Sequence, residues 1–122
     1  MLVLAKKIDD AGADSLAIKD MAGLFRPFDA YELVKNLKST LSIPIHMQTH
    51  ATTGMSTATN MKAIEAGIDN IDTSISSLSM TYGHTATETM LAIFENQQRE
   101  INLDLNALEE VSLFFKEIRD KY

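Results

Sequence analysis

Residues 13–23 read ADSLAIKDMAG, and they decide the fold of this 122-residue chain. In an extended strand Leu16 and Ile18 lie on one face, whereas Lys19 and small residues occupy the other. This pattern is typical of a parallel barrel, whose outer strand face packs on helices and whose inner face lines a narrow interior. The sequence predicts a strand over residues 14–18. Lys19 then follows at its carboxyl end, where barrel enzymes place their chemistry.

Helical and strand patterns alternate along the rest of the chain, which indicates parallel β/α units of an α/β fold. The joint between a helix and the next strand is repeated as AGAD at residues 11–14 and AGID at residues 66–69. A sheet of three strands has open edges that something must cover. We therefore expect residues 1–122 to form a single partial-barrel domain, a piece of a (β/α)8 TIM barrel or a half that pairs with another copy. Further strands are predicted at 43–47 and 70–75, and helices at 2–11, 27–41, 56–66, 87–96 and 105–121.

The composition excludes several classes of function. The net charge of −6 argues against nucleic acid and anionic membranes as partners. No apolar run approaches the length that a membrane span needs. The chain contains no cysteine, so disulfides and thiolate metal sites are excluded. We expect a cytoplasmic protein that neither binds nucleic acid nor inserts into membranes.

Polar side chains cluster where the predicted strands end. His46, Gln48 and His50 share one face of the second strand by its period of two, and Asp72 lies in the third strand. The carboxyl ends of parallel strands meet at one mouth of a barrel. We therefore expect Lys19, His50 and Asp72 to lie near one another.

Each of these residues also has an ordinary structural interpretation. Lys19 at a strand end is more often paired with a carboxylate, such as Asp20, than catalytic. A single strand histidine such as His50 is a metal ligand in a minority of cases, and Asp72 could cap a loop. His84 lies in a polar loop, where we expect it to face solvent. Taken singly, none of these residues defines a reaction.

Together the motifs resemble the biotin-dependent carboxyltransferases, which include the carboxyltransferase domain of pyruvate carboxylase, the oxaloacetate decarboxylase α subunit and the transcarboxylase 5S subunit. The resemblance covers essentially the whole chain. It implies a metal-centred TIM barrel, of which this chain is about the last three β/α units plus a C-terminal helix. The matching segments are residues 13–24 (ADSLAIKDMAGL), 43–55 (IPIHMQTHATTGM), 62–69 (KAIEAGID), 72–80 (DTSISSLSM) and 103–105 (LDL) with the closing helix.

The resemblance also implies a chemistry. In the family, the lysine that matches Lys19 is carboxylated and ligates a divalent metal (Zn, Mn or Co), and two histidines of the next strand complete part of the shell. His50 matches the second histidine, but Gln48 replaces the first. The metal polarises a keto acid, so that the enolate of pyruvate takes carbon dioxide from carboxybiotin, or oxaloacetate gives it up. Biotin is carried by a separate domain or subunit, the biotinyl carrier.

Two departures from the family pattern affect this expectation. An amide oxygen is a weaker ligand than imidazole, so with Gln48 the metal affinity falls, the preference moves towards harder ions, or the site is empty. The family's metal-binding aspartate, keto-acid arginine and catalytic threonine match nothing in this chain. We therefore expect no carboxyl transfer by the isolated chain.

Two other functions stay open at this point. One is a catalytically inactive half-barrel that self-associates through its open edges or completes another chain. The other is a metal-dependent aldol-type enzyme related to 3-hydroxy-3-methylglutaryl-CoA lyase, which the Lys-Asp-Met-Ala-Gly stretch disfavours.

Overall fold

A computed structural model describes residues 1–95 and 101–122, and it contains a three-stranded parallel sheet in the order β1-β2-β3. The predicted α/β class and the parallel connectivity are confirmed. No helix in the described part of the chain is long and apolar enough to cross a membrane. The strands are β1 (Leu16–Asp20), β2 (Ile45–Thr49) and β3 (Asn70–Ile71), and the helices are α1 (Leu2–Asp10), α2 (Pro27–Thr40), α3 (Ser56–Glu65), α4 (Thr87–Phe94) and α5 (Leu105–Arg119), with a short 3₁₀ helix at Ser76–Leu78.

The hydrophobic core lies between one face of the sheet and the helices. Ile45 and Met47 of β2 are fully buried there against α2, and Leu16 and Ile18 of β1 pack on the same cluster. This is the helix-facing side that the alternation in residues 13–23 predicts. On the opposite side of β1, Lys19 is exposed, as expected for a strand face that looks into an incomplete barrel.

Both long strands begin two residues later than predicted. Pairing starts where the backbone N–H of Leu16 donates to the carbonyl of Pro44 (2.9 Å), and Leu16 then lies level with Ile45. Proline has no N–H to donate, so the ladder on β2 begins after it. As a consequence Lys19 and Gln48 are paired within the sheet rather than placed beyond it.

The third strand is much shorter than the predicted 70–75. After β3 the chain stays extended, and the N–H of Asp72 still donates to the carbonyl of Met47 (2.9 Å). Ser74 then forms an isolated bridge with Ala86 instead of pairing with β2. The returning segment at residues 85–87 supplies the backbone partners of Ser74, and for this reason the ladder to β2 stops early.

The predicted helices agree with the observed ones to within about two residues. Ala11, Leu41 and Ala66, the predicted last residues of α1 to α3, are the C-caps. Asp104 is the N-cap of α5, because its carboxylate accepts the backbone N–H groups of residues 106 and 107. The predicted end of α4, Asn96, lies outside the described residues.

Candidate functional site

The site is built around His50, the residue that follows β2. Its Nε2 lies 3.1 Å from Nε2 of Gln48, and its Nδ1 lies 2.7 Å from the backbone oxygen of Tyr82. A carbonyl oxygen can only accept, so Nδ1 carries a proton, and in that tautomer Nε2 accepts from the Gln48 amide. Gln48 in turn lies level with Lys19 on the neighbouring strand. The three residues that the resemblance implies as ligands thus lie in sequence across the strand ends, whereas Asp72, the third member of the predicted strand-end group, lies beyond β3.

The turn after β1 fixes the backbone of His50. The N–H of His50 donates to the carbonyl of Asp20 (3.0 Å). Gly23 has a φ of +66°, and a Cβ at this position would lie 2.3 Å from the carbonyl oxygen of His50. Only glycine allows both the left-handed backbone and this close approach. The hydroxyl of Thr53 closes the arrangement by donating to the carbonyl of Gly23.

Asp20 has a structural role in the same turn. Its carboxylate accepts the backbone N–H groups of Leu24 (3.0 Å) and Phe25 (2.9 Å) and the hydroxyl of Thr49 (2.7 Å). Burial opposes ionisation of this carboxyl group, but the hydrogen bonds outweigh it, so the pKa of Asp20 is lowered. The interpretation that Asp20 pairs with Lys19 is wrong, because Lys19 has no ion pair with any residue in the described ranges.

His84 forms a second wall of the site, and the expectation that it faces solvent is wrong. Its ring centroid lies 4.6 Å from that of His50, and its Nδ1 lies 3.3 Å from Oγ of Ser74. Burial, then the neighbouring charge of His50, lowers the pKa of His84, against the opposing effect of Asp72. The position of His84 in the sequence could have indicated this location, because a loop that follows the carboxyl end of a strand passes the mouth of the barrel.

The loop that carries His84 is anchored beside the site. The N–H of Ala51 donates to the carbonyl of Gly83 (2.9 Å). The buried hydroxyl of Thr85 lies 2.8 Å from that of Ser56 and 3.1 Å from that of Thr57. These contacts fix the loop to the first turn of α3, and with it the Tyr82 carbonyl.

The remaining predicted polar residues lie around this centre. His46 is level with Asn70 of β3, and its Nε2 lies 3.4 Å from the Asn70 amide nitrogen. Asp72 follows β3, close enough to His84 for its charge to act on that ring. Neither side chain forms a hydrogen bond with His50 among the described residues.

The metal that the resemblance implies can be tested against these residues. A metal at His50 needs the Nε2 lone pair, which the Gln48 amide occupies. The Oε1 atom of Gln48 is buried and has no hydrogen-bond partner among the described residues, so this amide has one end bound and one end free. Residues 1–95 and 101–122 contain no group of three His, Cys, Asp or Glu side chains placed to hold a metal. As arranged, these donors do not fit a zinc-type centre.

The fold defines the chain as a segment of a parallel β/α barrel, with polar side chains at the carboxyl ends of its strands. A model of the HMGL-like family matches residues 1–114. The chain belongs to the HMGL-like family.

Relatives include carboxylase and carboxyltransferase subunits and, with less of the chain covered, 4-hydroxy-2-oxovalerate aldolases. The chain is 42% identical over 119 residues to a pyruvate carboxylase subunit of Methanocaldococcus jannaschii, covering 98% of the chain and 21% of that protein. It is 44% identical over 121 residues to the methylmalonyl-CoA carboxyltransferase 5S subunit of Propionibacterium freudenreichii, covering 98% and 24%. The chain therefore spans only a fifth to a quarter of these relatives.

A solved structure agrees with these relatives. The carboxyl transferase domain of Rhizobium etli pyruvate carboxylase, determined with pyruvate and biocytin, matches with a TM-score of 0.93 and 33% identity. The match covers 97% of this chain and 20% of that one. The resemblance to carboxyltransferases and the prediction of a partial barrel are both confirmed.

Proposed function

We propose that the chain is the part of a carboxyltransferase barrel that contributes one wall of its site. As part of a complete barrel, it acts in moving a carboxyl group between oxaloacetate or pyruvate and biotin. The observation that carries this proposal is the match to a carboxyl transferase domain determined with pyruvate and biocytin. The proposal includes a biotinyl carrier domain or subunit as partner and a cytoplasmic location.

Lys19 and His50 are the residues of this chain that we assign to the site. Lys19 is exposed on the inner strand face and free of ion pairs within the described ranges, so it is available to a substrate or to carboxylation. His50 is held in one tautomer by the Tyr82 carbonyl, and its Nε2 is directed to Gln48. The resemblance assigns Lys19, Gln48 and His50 to a divalent metal. We derive no step through that metal, because the Nε2 lone pair of His50 is already occupied.

A matched segment offers a direct test. In a chimaera, this chain replaces the matching 119-residue segment of the Methanocaldococcus jannaschii protein. Carboxyl exchange between oxaloacetate and pyruvate is then measured in the presence of biotin. We expect little or no exchange by the chimaera as it stands, exchange weaker than that of the parent once Gln48→His restores the second histidine, and its loss when Lys19→Ala is added. The chain alone should show no exchange, since it spans only a fifth of that relative. A folded chimaera that is inactive both as it stands and with Gln48→His contradicts the proposal.

A non-catalytic half-barrel is the second candidate, and exposed apolar surface favours it. The outer edge of β1 is unpaired in the described sheet. A groove of about 220 Å³ runs along it, lined by residues of α1 and β1 that include Leu4 and Leu16. Leu4 is 63% exposed. Such an edge accepts another strand, from the rest of a barrel or from a second copy. A discrete dimer of the purified chain in solution would support self-association, and a monomer would contradict it.

A further inference from the structure

Gln48 is the residue at which the proposed site departs from the family pattern. We propose that Gln48 makes this a metal-free site, because its amide occupies the only lone pair of His50 and supplies no ligand in return. The inference rests on the proposed function for the location of the site. It concerns this chain's own residues and is tested by metal binding, not by turnover.

The two ring nitrogens of His50 differ in what they can offer a metal. Nδ1 donates to the carbonyl of Tyr82 at 2.7 Å, so it has no lone pair to offer. That carbonyl does not move freely, because its loop is attached through Gly83 to Ala51 and through Thr85 to α3. Only Nε2 of the ring could ligate a metal, and Nε2 is the atom that accepts from Gln48 at 3.1 Å.

The Gln48 amide has one favourable orientation beside His50. Gln48 is only 8% exposed, and half a turn of its amide would place Oε1 where Nε2 now lies. In the tautomer with only Nδ1 protonated, two acceptors, Oε1 and the His50 lone pair, would then face each other at about 3 Å, which is repulsive unless a proton or a metal ion lies between them. The observed orientation is therefore the one that suits a site without a metal.

The free end of the amide points to the same conclusion. Oε1 is buried without a partner among the described residues, and an unsatisfied buried acceptor costs about 1–3 kcal/mol. It needs a hydrogen-bond donor. Lys19, level with Gln48 on the adjacent strand, has three N–H donors as a flexible ammonium but only one, next to the carboxylate, as a carbamate. Uncarboxylated Lys19 and Gln48 thus suit each other.

No neighbouring residue restores the lost ligand. His46 lies one level deeper, at Asn70. His84 packs its ring against that of His50, and no cluster of three ligating side chains exists in the described part of the chain. A single substitution, Gln48→His, should therefore create the missing second imidazole two residues before His50 on the same strand face.

The test is a Co²⁺ titration, followed by visible absorption and by calorimetry. The titration is carried out on both the purified chain and the chimaera described above, so that a variant that fails to fold in one of them can still be tested in the other. We expect the unchanged chain to bind no stoichiometric Co²⁺. Gln48→His should bind one equivalent at least about 100-fold more tightly. Adding His50→Ala to Gln48→His should abolish that binding.

A matched control distinguishes two effects of Gln48→His, the loss of the amide that occupies Nε2 of His50 and the gain of a second imidazole. Gln48→Met has a similar length and removes the amide that caps Nε2, but it adds no imidazole, so it should still bind no stoichiometric Co²⁺. Tight binding by Gln48→Met would overturn the assignment of a missing ligand. The proposal is also overturned if the unchanged chain binds one Co²⁺ that His50→Ala removes. It is overturned equally if Gln48→His gains nothing in the folded chimaera.

Carboxylation of Lys19 provides a second readout. With ¹³C-labelled bicarbonate, a carbamate carbon signal should be absent from the unchanged chimaera and present in Gln48→His with Co²⁺ replaced by diamagnetic Zn²⁺. A carbamate signal in the unchanged chimaera that Lys19→Ala removes would contradict the proposal. Exchange activity is a separate result: a Gln48→His chimaera that binds metal but transfers no carboxyl group refutes the proposed function and leaves the metal inference standing.

Discussion

Gly23→Ala is the substitution whose effect the structure determines most sharply. The added Cβ would lie 2.3 Å from the carbonyl oxygen of His50, whereas ordinary contact begins at 3.4 Å. The difference, 3.4 minus 2.3, requires the His50 carbonyl to retreat by 1.1 Å. That carbonyl belongs to a residue whose N–H donates to Asp20 at 3.0 Å, so the shift acts directly on the site.

The expected cost has two parts. The left-handed backbone alone costs an alanine about 1 kcal/mol relative to glycine. Displacing His50 and straining its hydrogen bonds adds about 1–3 kcal/mol. Gly67→Ala is the matched control, because Gly67 has a φ of +91° but a Cβ there meets nothing within 4 Å. The control should therefore show only the first part.

Urea unfolding of both variants measures the free energies, and ¹⁵N chemical shifts of the His50 ring report its hydrogen bonds. We expect Gly23→Ala to lose roughly 2–4 kcal/mol of unfolding free energy and to shift both ring nitrogens. Gly67→Ala should lose about 1 kcal/mol and leave the ring unchanged. Equal losses in the two variants, with an unchanged His50 spectrum, would refute the steric reasoning.

Three further outcomes are expected. Asp69→Asn should lower the free energy of unfolding in urea by about 1–3 kcal/mol, because the Asp69 carboxylate accepts hydrogen bonds from Lys38 at 2.8 and 2.9 Å and from the backbone N–H of Ile45 at 2.8 Å. The control substitution Asp14→Asn, at an exposed residue, should change it by less than about 0.5 kcal/mol. The hydrogen bond from Lys38 lowers the pKa of Asp69 below 3.8, so the stability that the Asp69 carboxylate contributes is complete above that pH and is lost as the pH falls through the folded-state pKa. The stabilities of the unchanged chain and of Asp69→Asn should therefore converge in acid, and a constant difference down to the lowest pH would contradict this. Thr85→Val should cost about 1–3 kcal/mol by leaving the buried Ser56 hydroxyl without its partner, and an unchanged unfolding midpoint would show that the loop is not anchored there.

The alternation of residues within strands and of helical and strand patterns along the chain was sufficient to predict the architecture, whereas the pairing partners contributed by distant segments could not be predicted. The strand at Leu16 begins where it does because of the carbonyl of Pro44, and β3 ends early because Ser74 pairs with Ala86. Periodicity within one segment contains no information about either partner. The sequence could therefore predict that each strand and helix exists, but not the residues at which strand pairing begins and ends.

The residues of the candidate site likewise include some that the sequence could predict and some that it could not. That Lys19 and His50 follow neighbouring strands was predictable, because adjacent parallel strands of one sheet bring their carboxyl ends together, whereas Gln48 was singled out only by the family resemblance. His84 was not, because its approach to His50 depends on the path of the loop after residue 78. Asp20 was misjudged for a related reason: its partners are backbone N–H groups of its own turn, which a count of nearby charges does not consider.

His50 is positioned by contacts that do not involve a metal. Its backbone N–H is held by Asp20, its carbonyl lies against Gly23, and its Nδ1 is held by Tyr82. A ligand positioned in this way keeps its orientation when the rest of a metal shell is changed, which is how outer contacts support metal centres. The loss of one imidazole at position 48 therefore need not disturb the fold around it. This is why restoring that imidazole should be enough to restore metal binding, and why Gln48→His tests the chemistry of the site separately from the stability of the scaffold.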